Sequence, residues 1–362
     1  MPEPVRALDE VTPEWLTAVL AAGGHLAQGR VALLARDDAE TETAYVSRLR
    51  VGYTPGLMGR PSPTLPERLF FKLSKGGDLA SFAVRLARNE VRFYTVLSDR
   101  TGSLPVPQCY AAACQGGEGG YYVLLEDLTP THRPHRGPQS PTDADCQRAV
   151  DALARFHAHW WDHPQLRAGM GTWPSAQWPT LEGERAYAAD VAATLPGYLD
   201  ALGDSLSAEW RQRYERAVTA LPRVLERVAR DRHITLTHGD AHLGNVLFPR
   251  DPDGEAVWVD WQFWNLSIAT HDLRHTIARA WDRERRARLE VPLLRRYHAG
   301  LRAHGVVGFG WDDLWDDYRV GAIDNLFMPM WQWSLKMPTT WWRPMLEIVM
   351  DTYEDLDCEA LL

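Results

Sequence analysis

The stretch Ile234-Thr-Leu-Thr-His238-Gly239-Asp240-Ala-His242-Leu-Gly244-Asn245-Val-Leu-Phe248 sets two short apolar, β-branched runs around a polar knot. Glycines at 239 and 244 and a five-residue step from Asp240 to Asn245 suit a tight loop, because glycine reaches backbone angles other residues avoid. Farther on, Ala256-Val-Trp-Val-Asp260 reads as a short apolar strand ending in a carboxylate. An acid that can accept a proton, an amide that can ligand a cation and a second acid at a strand end form the set that phosphoryl transfer needs.

A chain of 362 residues is long enough for two domains or lobes with a sizeable core. The formal net charge of -9 speaks against a nucleic-acid partner, which calls for a basic patch. The first residues, Met1-Pro-Glu-Pro-Val-Arg6, lack the apolar run of a secretory leader, and no apolar run approaches the ~20 residues of a membrane helix. A cytoplasmic protein with no membrane partner is the expectation. Cys109, Cys114, Cys146 and Cys358 have no zinc-type spacing and read as reduced thiols. Of 39 basic residues only Lys72, Lys75 and Lys336 are lysines, so a lysine inside the apolar run Leu69-Phe-Phe-Lys72-Leu73 marks a place for a compact point charge.

Strands are expected over 31–34, 44–53, 68–73, 106–114 and 121–125, with a long Pro- and Gly-rich turn at 55–65. A helix over about 80–98 puts Glu90 on one face with Phe82, Leu86, Tyr94 and Leu97, and a carboxylate near a buried stripe needs a partner, for which Lys72 is the candidate. Beyond a polar run at 129–141, Ser140 reads as a helix cap before 146–161, where His157 shares the core face with Val150, Leu153 and Trp161. Helices follow at 181–202, 207–230, from Asp272 to Trp281, and over 290–305, 311–333 and 342–356. Strands before residue 125 and helices after it imply an α+β fold in two parts, 1–125 and 142–362, joined by a linker at 126–141.

The pattern H-G-D-x-H-x-G-N at 238–245 followed by Val259-Asp260-Trp261 resembles the aminoglycoside phosphotransferase and choline kinase superfamily. Glu126-Asp127-Leu128 and His157-Ala-His159-Trp-Trp161 are most similar to its ecdysteroid-kinase-like branch. The resemblance implies a bilobal, protein-kinase-like fold, with a small antiparallel-sheet N-lobe and a mostly helical C-lobe. It also implies ATP and Mg2+ as cofactors and a small-molecule hydroxyl as acceptor. By the same resemblance Asp240 is the base or orienter of that hydroxyl, Asn245 and Asp260 hold magnesium, and Lys72, oriented by Glu90, steadies the α and β phosphates. Glu126, Asp127 and Leu128 form the hinge that reads adenine, and His238 and the buried Asp272 brace the loop. One departure stands out: Glu40-Thr-Glu-Thr43-Ala-Tyr45 has no glycine where the family covers the phosphates, so the hydroxyls of Thr43 or Ser47 are expected to substitute.

Gly239 in place of an arginine, and only eleven residues between Asp260 and Asp272, argue against a protein kinase with an activation loop. One rival is a metal hydrolase built on His238, His242 and Asp260, and glycines 239 and 244 speak against the helix it needs. The other is a non-catalytic nucleotide-binding protein. For the acceptor, Asp312, Asp313, Asp316, Asp317 and Asp324 offer an amine-attracting set, as for an aminoglycoside, while Trp264, Trp315, Trp331 and Trp333 offer an apolar lining.

Overall fold

The computed structural model describes residues 4–41, 44–54, 65–75, 82–97, 104–114, 121–135, 141–168 and 178–362. Thr43 and the turn at 55–64 lie outside the described residues. The chain divides into two compact units, the first made of 1–134 with 246–264 and the second of 135–245 with 265–362. The sequence division drew one helical part from 142 onward. The return of 246–264 to the first unit follows from strand Val246–Pro249, which pairs with His132–Pro134 and with Val257–Trp258.

In the first unit, β1 (Val31–Glu40), β2 (Ala44–Tyr53), β3 (Arg68–Ser74), β4 (Cys109–Cys114) and β5 (Tyr121–Glu126) form an antiparallel sheet in the order β1-β2-β3-β5-β4. β1 runs well past the expected Leu34. Its second half, Arg36 to Glu40, is exposed and polar on both faces, so no alternation betrays it, but it stays paired to β2 up to Glu40 opposite Tyr45. On β3, Leu69, Phe71 and Leu73 pack into a core with Leu16, Val19 and Leu20 of helix α1 (Pro13–Ala22), which Thr12 caps by accepting from the Trp15 amide. Strand side chains alternate between faces, so Lys72 belongs to the opposite face of the sheet.

Helix α2 (Phe82–Arg92) continues as a π-helical turn, Phe93–Leu97. It is sewn to the segment after Trp258. Asn89 donates to the carbonyls of Gln262 (2.9 Å) and Trp264 (3.1 Å), the Trp264 indole donates back to the Asn89 carbonyl (2.8 Å), and Phe93 stacks on Trp261 with centroids 4.2 Å apart.

The second unit is helical: α3 (Asp143–Trp160), α4 (Leu181–Leu202), α5 (Ala208–Val224), α6 (Arg283–Ala303), α7 (Trp311–Asn325), α8 (Met328–Ser334), α9 (Thr339–Trp342) and α10 (Met345–Asp355). Thr142 caps α3, its side chain accepting from the Asp145 amide; Ser140, the cap expected from sequence, lies outside the described residues. The helix expected from Asp272 is one turn, Thr270–Leu273, followed by a π-helical turn, Arg274–Ala278. Strands Thr235–Thr237 and Asn265–Ser267 pair within this unit and deliver the loop that follows Thr237. Cys109, Cys114, Cys146 and Cys358 form no disulfide. Among the described residues no helix is long and apolar enough to cross a membrane.

Candidate active site

The functional residues expected from sequence fall into two clusters, one in each unit. In the first, the Lys72 ammonium lies 2.8 Å from Glu90 Oε2 and 2.7 Å from Asp260 Oδ1. The Asn89 and Phe93 contacts explain the meeting, since they fix the α2 face carrying Glu90 against the segment carrying Asp260. Burial alone would lower the Lys72 pKa, but the Asp260 and Glu90 carboxylates outweigh it and hold the ammonium well above its ordinary value. Burial pushes Glu90 up, and Lys72 offsets only part of that, with Asp260 adding like charge. Asp260 itself sits in the left-handed region, at φ 68° and ψ 56°, which costs a non-glycine residue about 1–3 kcal/mol and is found where geometry is over-determined.

Other residues expected in the nucleotide half are engaged elsewhere. The Ser47 hydroxyl, expected as a phosphate contact, instead donates to Asp38 Oδ1 at 2.6 Å, and the residue is buried. Asp127 Oδ1 accepts from the Thr129 amide at 3.0 Å, closing the turn after β5, while Leu128 is buried and Glu126 ends the strand.

In the second unit, Asp272 is fully buried and organises the loop. Its Oδ2 accepts from the His238 amide (2.6 Å) and its Oδ1 from the Gly239 amide (2.9 Å). Oδ2 also lies 3.0 Å from His157 Nε2, and His157 Nδ1 lies 2.7 Å from the Tyr297 hydroxyl. Burial would raise the Asp272 carboxyl. The His157 hydrogen bond and the imidazoles of His157, His238 and His271 outweigh it and hold the carboxyl below its usual range.

The loop then folds on itself. Gly239 takes φ 80°, the Asp240 amide meets His238 Nδ1 at 3.3 Å, and the Gly244 amide donates to His242 Nδ1 at 3.1 Å. A Cβ on Gly244 would come within 2.8 Å of the His242 ring, so a side chain there would push that ring from its place beside the loop. Thr276 locks the turn from beneath, its hydroxyl donating to the Ala241 carbonyl at 2.7 Å.

The Asp240 carboxylate faces His242 Nε2 at 3.5 Å on Oδ2, and Arg279 Nη2 and His275 Nδ1, each at 3.8 Å, on Oδ1. Burial pushes Asp240 up, yet His242, Arg279 and His238 together draw it below its ordinary value. Asn245 donates its amide nitrogen to the Asp240 carbonyl at 3.0 Å, which leaves its amide oxygen out of that bond.

Sequence reading missed three groups here. His157 reads from sequence as a core-face residue within a family-like run and not as a support of the loop, and Arg279 and His275 reach Asp240 through a π-helical turn that helical periodicity does not foresee. The hydrolase site does not form: both ring nitrogens of His242 face groups of the loop, and among the described residues no three His, Cys, Asp or Glu side chains converge on a metal position.

An α+β protein-kinase-like fold with a Lys–Glu pair under the sheet and an H-G-D-x-H-x-G-N loop among helices defines the class as kinase-type phosphotransferases. The model of the phosphotransferase enzyme family (APH) matches residues 64–308, and the chain belongs to that family. It is therefore a small-molecule kinase, and a nucleotide as phosphoryl donor comes with the family.

Among solved structures, a Ralstonia eutropha JMP134 protein assigned as an aminoglycoside phosphotransferase is 14% identical with a TM-score of 0.56, over 95% of this chain and 98% of that one. The GDP complex of aminoglycoside 2'-phosphotransferase-IIIa is 14% identical with a TM-score of 0.54, over 94% of this chain and 98% of that one. The GDP and kanamycin complex of APH(2")-IIIa is 14% identical with a TM-score of 0.51, over 95% and 99%. At these identities the likeness is one of fold. No curated protein matches the chain.

Proposed function

We propose that the protein is an ATP-dependent O-phosphotransferase that moves the γ-phosphate to a hydroxyl of a small molecule. The observation that carries the reading is the Lys72 ammonium held between Glu90 and Asp260, a cation stationed by carboxylates that themselves suit a metal-bound polyphosphate. In this reading Lys72, oriented by Glu90, holds the donor phosphates, and Asp260 and the Asn245 amide oxygen are the ligands for magnesium. That ion supplies charge neutralisation at the transferring phosphate. The strand end at 126–128 serves the base of the nucleotide, with main-chain groups as the contacts. An N-lobe at 1–125, a hinge and linker at 126–141 and a helical C-lobe at 142–362, together with membership of the ecdysteroid-kinase-like branch, belong to the same reading.

Asp240 orients the acceptor. The hydroxyl oxygen forms the new bond to phosphorus, the bond from that phosphorus to the ADP oxygen breaks, and the hydroxyl proton passes to the Asp240 carboxylate. Because Asp240 is held below its ordinary pKa, it is a weak base that stays anionic at neutral pH. It therefore aims the hydroxyl from the start and takes the proton late. His238 and Asp272 keep the loop in place and take no part in the proton transfer.

The test is alcohol-dependent ADP release together with nucleotide affinity. Asp240→Asn keeps shape and removes charge, so turnover is expected to fall by about 10²-fold or more while the Kd for ATP stays near the parent value. A variant that transfers phosphate at the parent rate would remove the central assignment.

A further inference from the structure

The other buried arginines of the second unit each meet a carboxylate of the chain. Arg274 pairs with Asp324, Arg286 with Asp355 and with Glu290 at 3.4 Å, and Arg213 with Glu209 at 3.3 Å. Asp316 and Asp317, which sequence offered to a cationic acceptor, are taken by Arg227 and Arg230. Arg279 is the exception among the described residues. Its side chain is only 10% exposed, yet its nearest carboxylate is Asp240, at 3.8 Å, beyond hydrogen-bond reach. Its other neighbours are uncharged: Nη2 donates to His275 Nδ1 at 2.6 Å, and Nη1 lies 3.9 Å from the Met345 thioether. Because a guanidinium only donates, His275 takes that bond on an unprotonated nitrogen, and burial together with Arg279 keeps the ring neutral.

Burying a cation without a bonded anion is costly, and the fold nevertheless fixes this one in place. The Arg279 amide donates to the Arg274 carbonyl at 3.0 Å, closing the π-helical turn. Thr276 ties that turn to the Ala241 carbonyl, one residue from Asp240, and Thr352 of α10 donates to the Ala278 carbonyl at 2.8 Å. The guanidinium and the Asp240 carboxylate are thus held at a set separation. In the reaction proposed above, the acceptor hydroxyl lies about 2.6–3.2 Å from that carboxylate, and the phosphorus it attacks comes to rest one bond further on. A guanidinium 3.8 Å from the same carboxylate is within reach of the oxygens on that phosphorus.

We propose that Arg279 is a catalytic residue that bonds the peripheral oxygens of the phosphoryl group as it arrives at the acceptor. The proposal rests on the phosphotransferase reading above. As the acceptor oxygen bonds to phosphorus and the bridging oxygen leaves with ADP, the hydroxyl proton goes to Asp240. The three peripheral oxygens keep their bonds and carry the negative charge that Arg279 meets. A cation fixed in advance at that place stabilises the transition state without reorganising. The separation from Asp240 then has a use, since a guanidinium bonded to Asp240 would occupy the carboxylate that aims the hydroxyl.

The experiment uses the full chain with magnesium, ADP and aluminium fluoride, the fluoride standing for a phosphoryl group in flight and water for the acceptor. ADP affinity is read by calorimetry with and without aluminium fluoride, which should tighten it in the parent by about 10²-fold or more. Arg279→Met, which fills the space without charge, should lose about tenfold or more of that gain while affinity for ADP alone stays at the parent value. Arg279→Lys, which replaces the fork with a point charge, should lose roughly threefold. A purely structural role would move Tm, recorded for each variant, and not this ratio. Repeating the measurement on an Asp240→Asn background separates contact from influence, because the Arg279→Met loss should persist there at similar size. A loss seen only with Asp240 intact would mean that Arg279 acts through that carboxylate and would overturn the proposal. So would a gain left unchanged by Arg279→Met, or by Arg279→Lys should the first variant fail to fold, and so would aluminium fluoride without effect in the parent. Failure of the parent to bind ADP with magnesium defeats the kinase reading as well, whereas ADP binding with an unchanged gain defeats only the role of Arg279.

Discussion

In the first unit Lys72, Glu90 and Asp260 touch one another side chain to side chain, one cation between two carboxylates, with Asp260 on a strained left-handed residue. In the second unit the Asp240 loop is held by main-chain amides. Asp272 accepts from His238 and Gly239, Thr276 donates to the Ala241 carbonyl, and Asn245 donates to the Asp240 carbonyl. Side-chain ion pairs can exchange partners when new charge arrives, at little cost to the backbone. A loop whose main chain is tied at several points cannot shift without losing several bonds at once. The first cluster is thus suited to a ligand that comes and goes, and the second to presenting one carboxylate at a fixed place.

Asp272→Asn tests the rigid side of this contrast and carries the largest expected effect. The neutral amide keeps the shape but turns two charge-assisted bonds into ordinary ones and sets an N–H against either a loop amide or His157. With each charge-assisted bond contributing roughly 1.5–3 kcal/mol, a loss of about 3 kcal/mol or more in unfolding free energy is expected by urea titration. A variant as stable as the parent would mean that the amides, not the buried acid, hold the loop.

Lys72→Met tests the exchangeable side. Removing the cation leaves Glu90 buried beside Asp260, and breaking a buried pair costs about 3 kcal/mol. Glu90 already stands above its ordinary pKa, and without Lys72 it rises further. The folded state then keeps a proton that the unfolded state releases, so stability falls as pH rises from the ordinary glutamate range. The penalty should accordingly be full at pH 8 and much smaller at pH 5. In Lys72→Met with Glu90→Gln that pH dependence should vanish. Parallel pH profiles for the single and double variants would show that Glu90 does not depend on Lys72.

The first cluster was the more legible of the two in sequence. A lone lysine in an apolar strand and a glutamate on a buried helix face call for each other by desolvation alone, and they meet at 2.8 Å. The five-stranded sheet was legible from alternation wherever one face is buried, and not along Arg36 to Glu40, where neither face is. Asp240, Asn245 and Asp272 were found by motif and spacing. Their supports were not: His157 and Tyr297 come from helices 115 and 140 residues away in the chain measured from Asp272 and His157 respectively, and nothing in a local window links them. The π-helical turn at 274–278 shifts Arg279 and His275 relative to a regular helix, and that register is a tertiary result. The acidic run of α7 looked available because sequence does not reveal that Arg227, Arg230 and Arg274 come to meet it.

The smallest effect concerns whether the second unit also contains a loosely held charge. Glu184, on α4, has its carboxyl pushed up to about 7 by burial, with Arg274 drawing it only part of the way back. A carboxyl raised above its unfolded value is protonated in the folded chain over a pH range where the unfolded chain has already ionised. Its contribution is therefore favourable at acid pH and is lost as pH climbs from about 4.5 to about 7. Glu184→Gln removes that titration. The variant should match the parent in stability at pH 4 and exceed it at pH 8, by about 1–2 kcal/mol once the partial exposure of the side chain to water is allowed for. Tm measured across this range on both proteins checks the sign as well as the size. In parallel, the carboxyl carbon resonance of Glu184 should titrate with a midpoint near 7. Superimposable pH profiles would place Glu184 among the firmly held groups and sharpen the contrast between the two units.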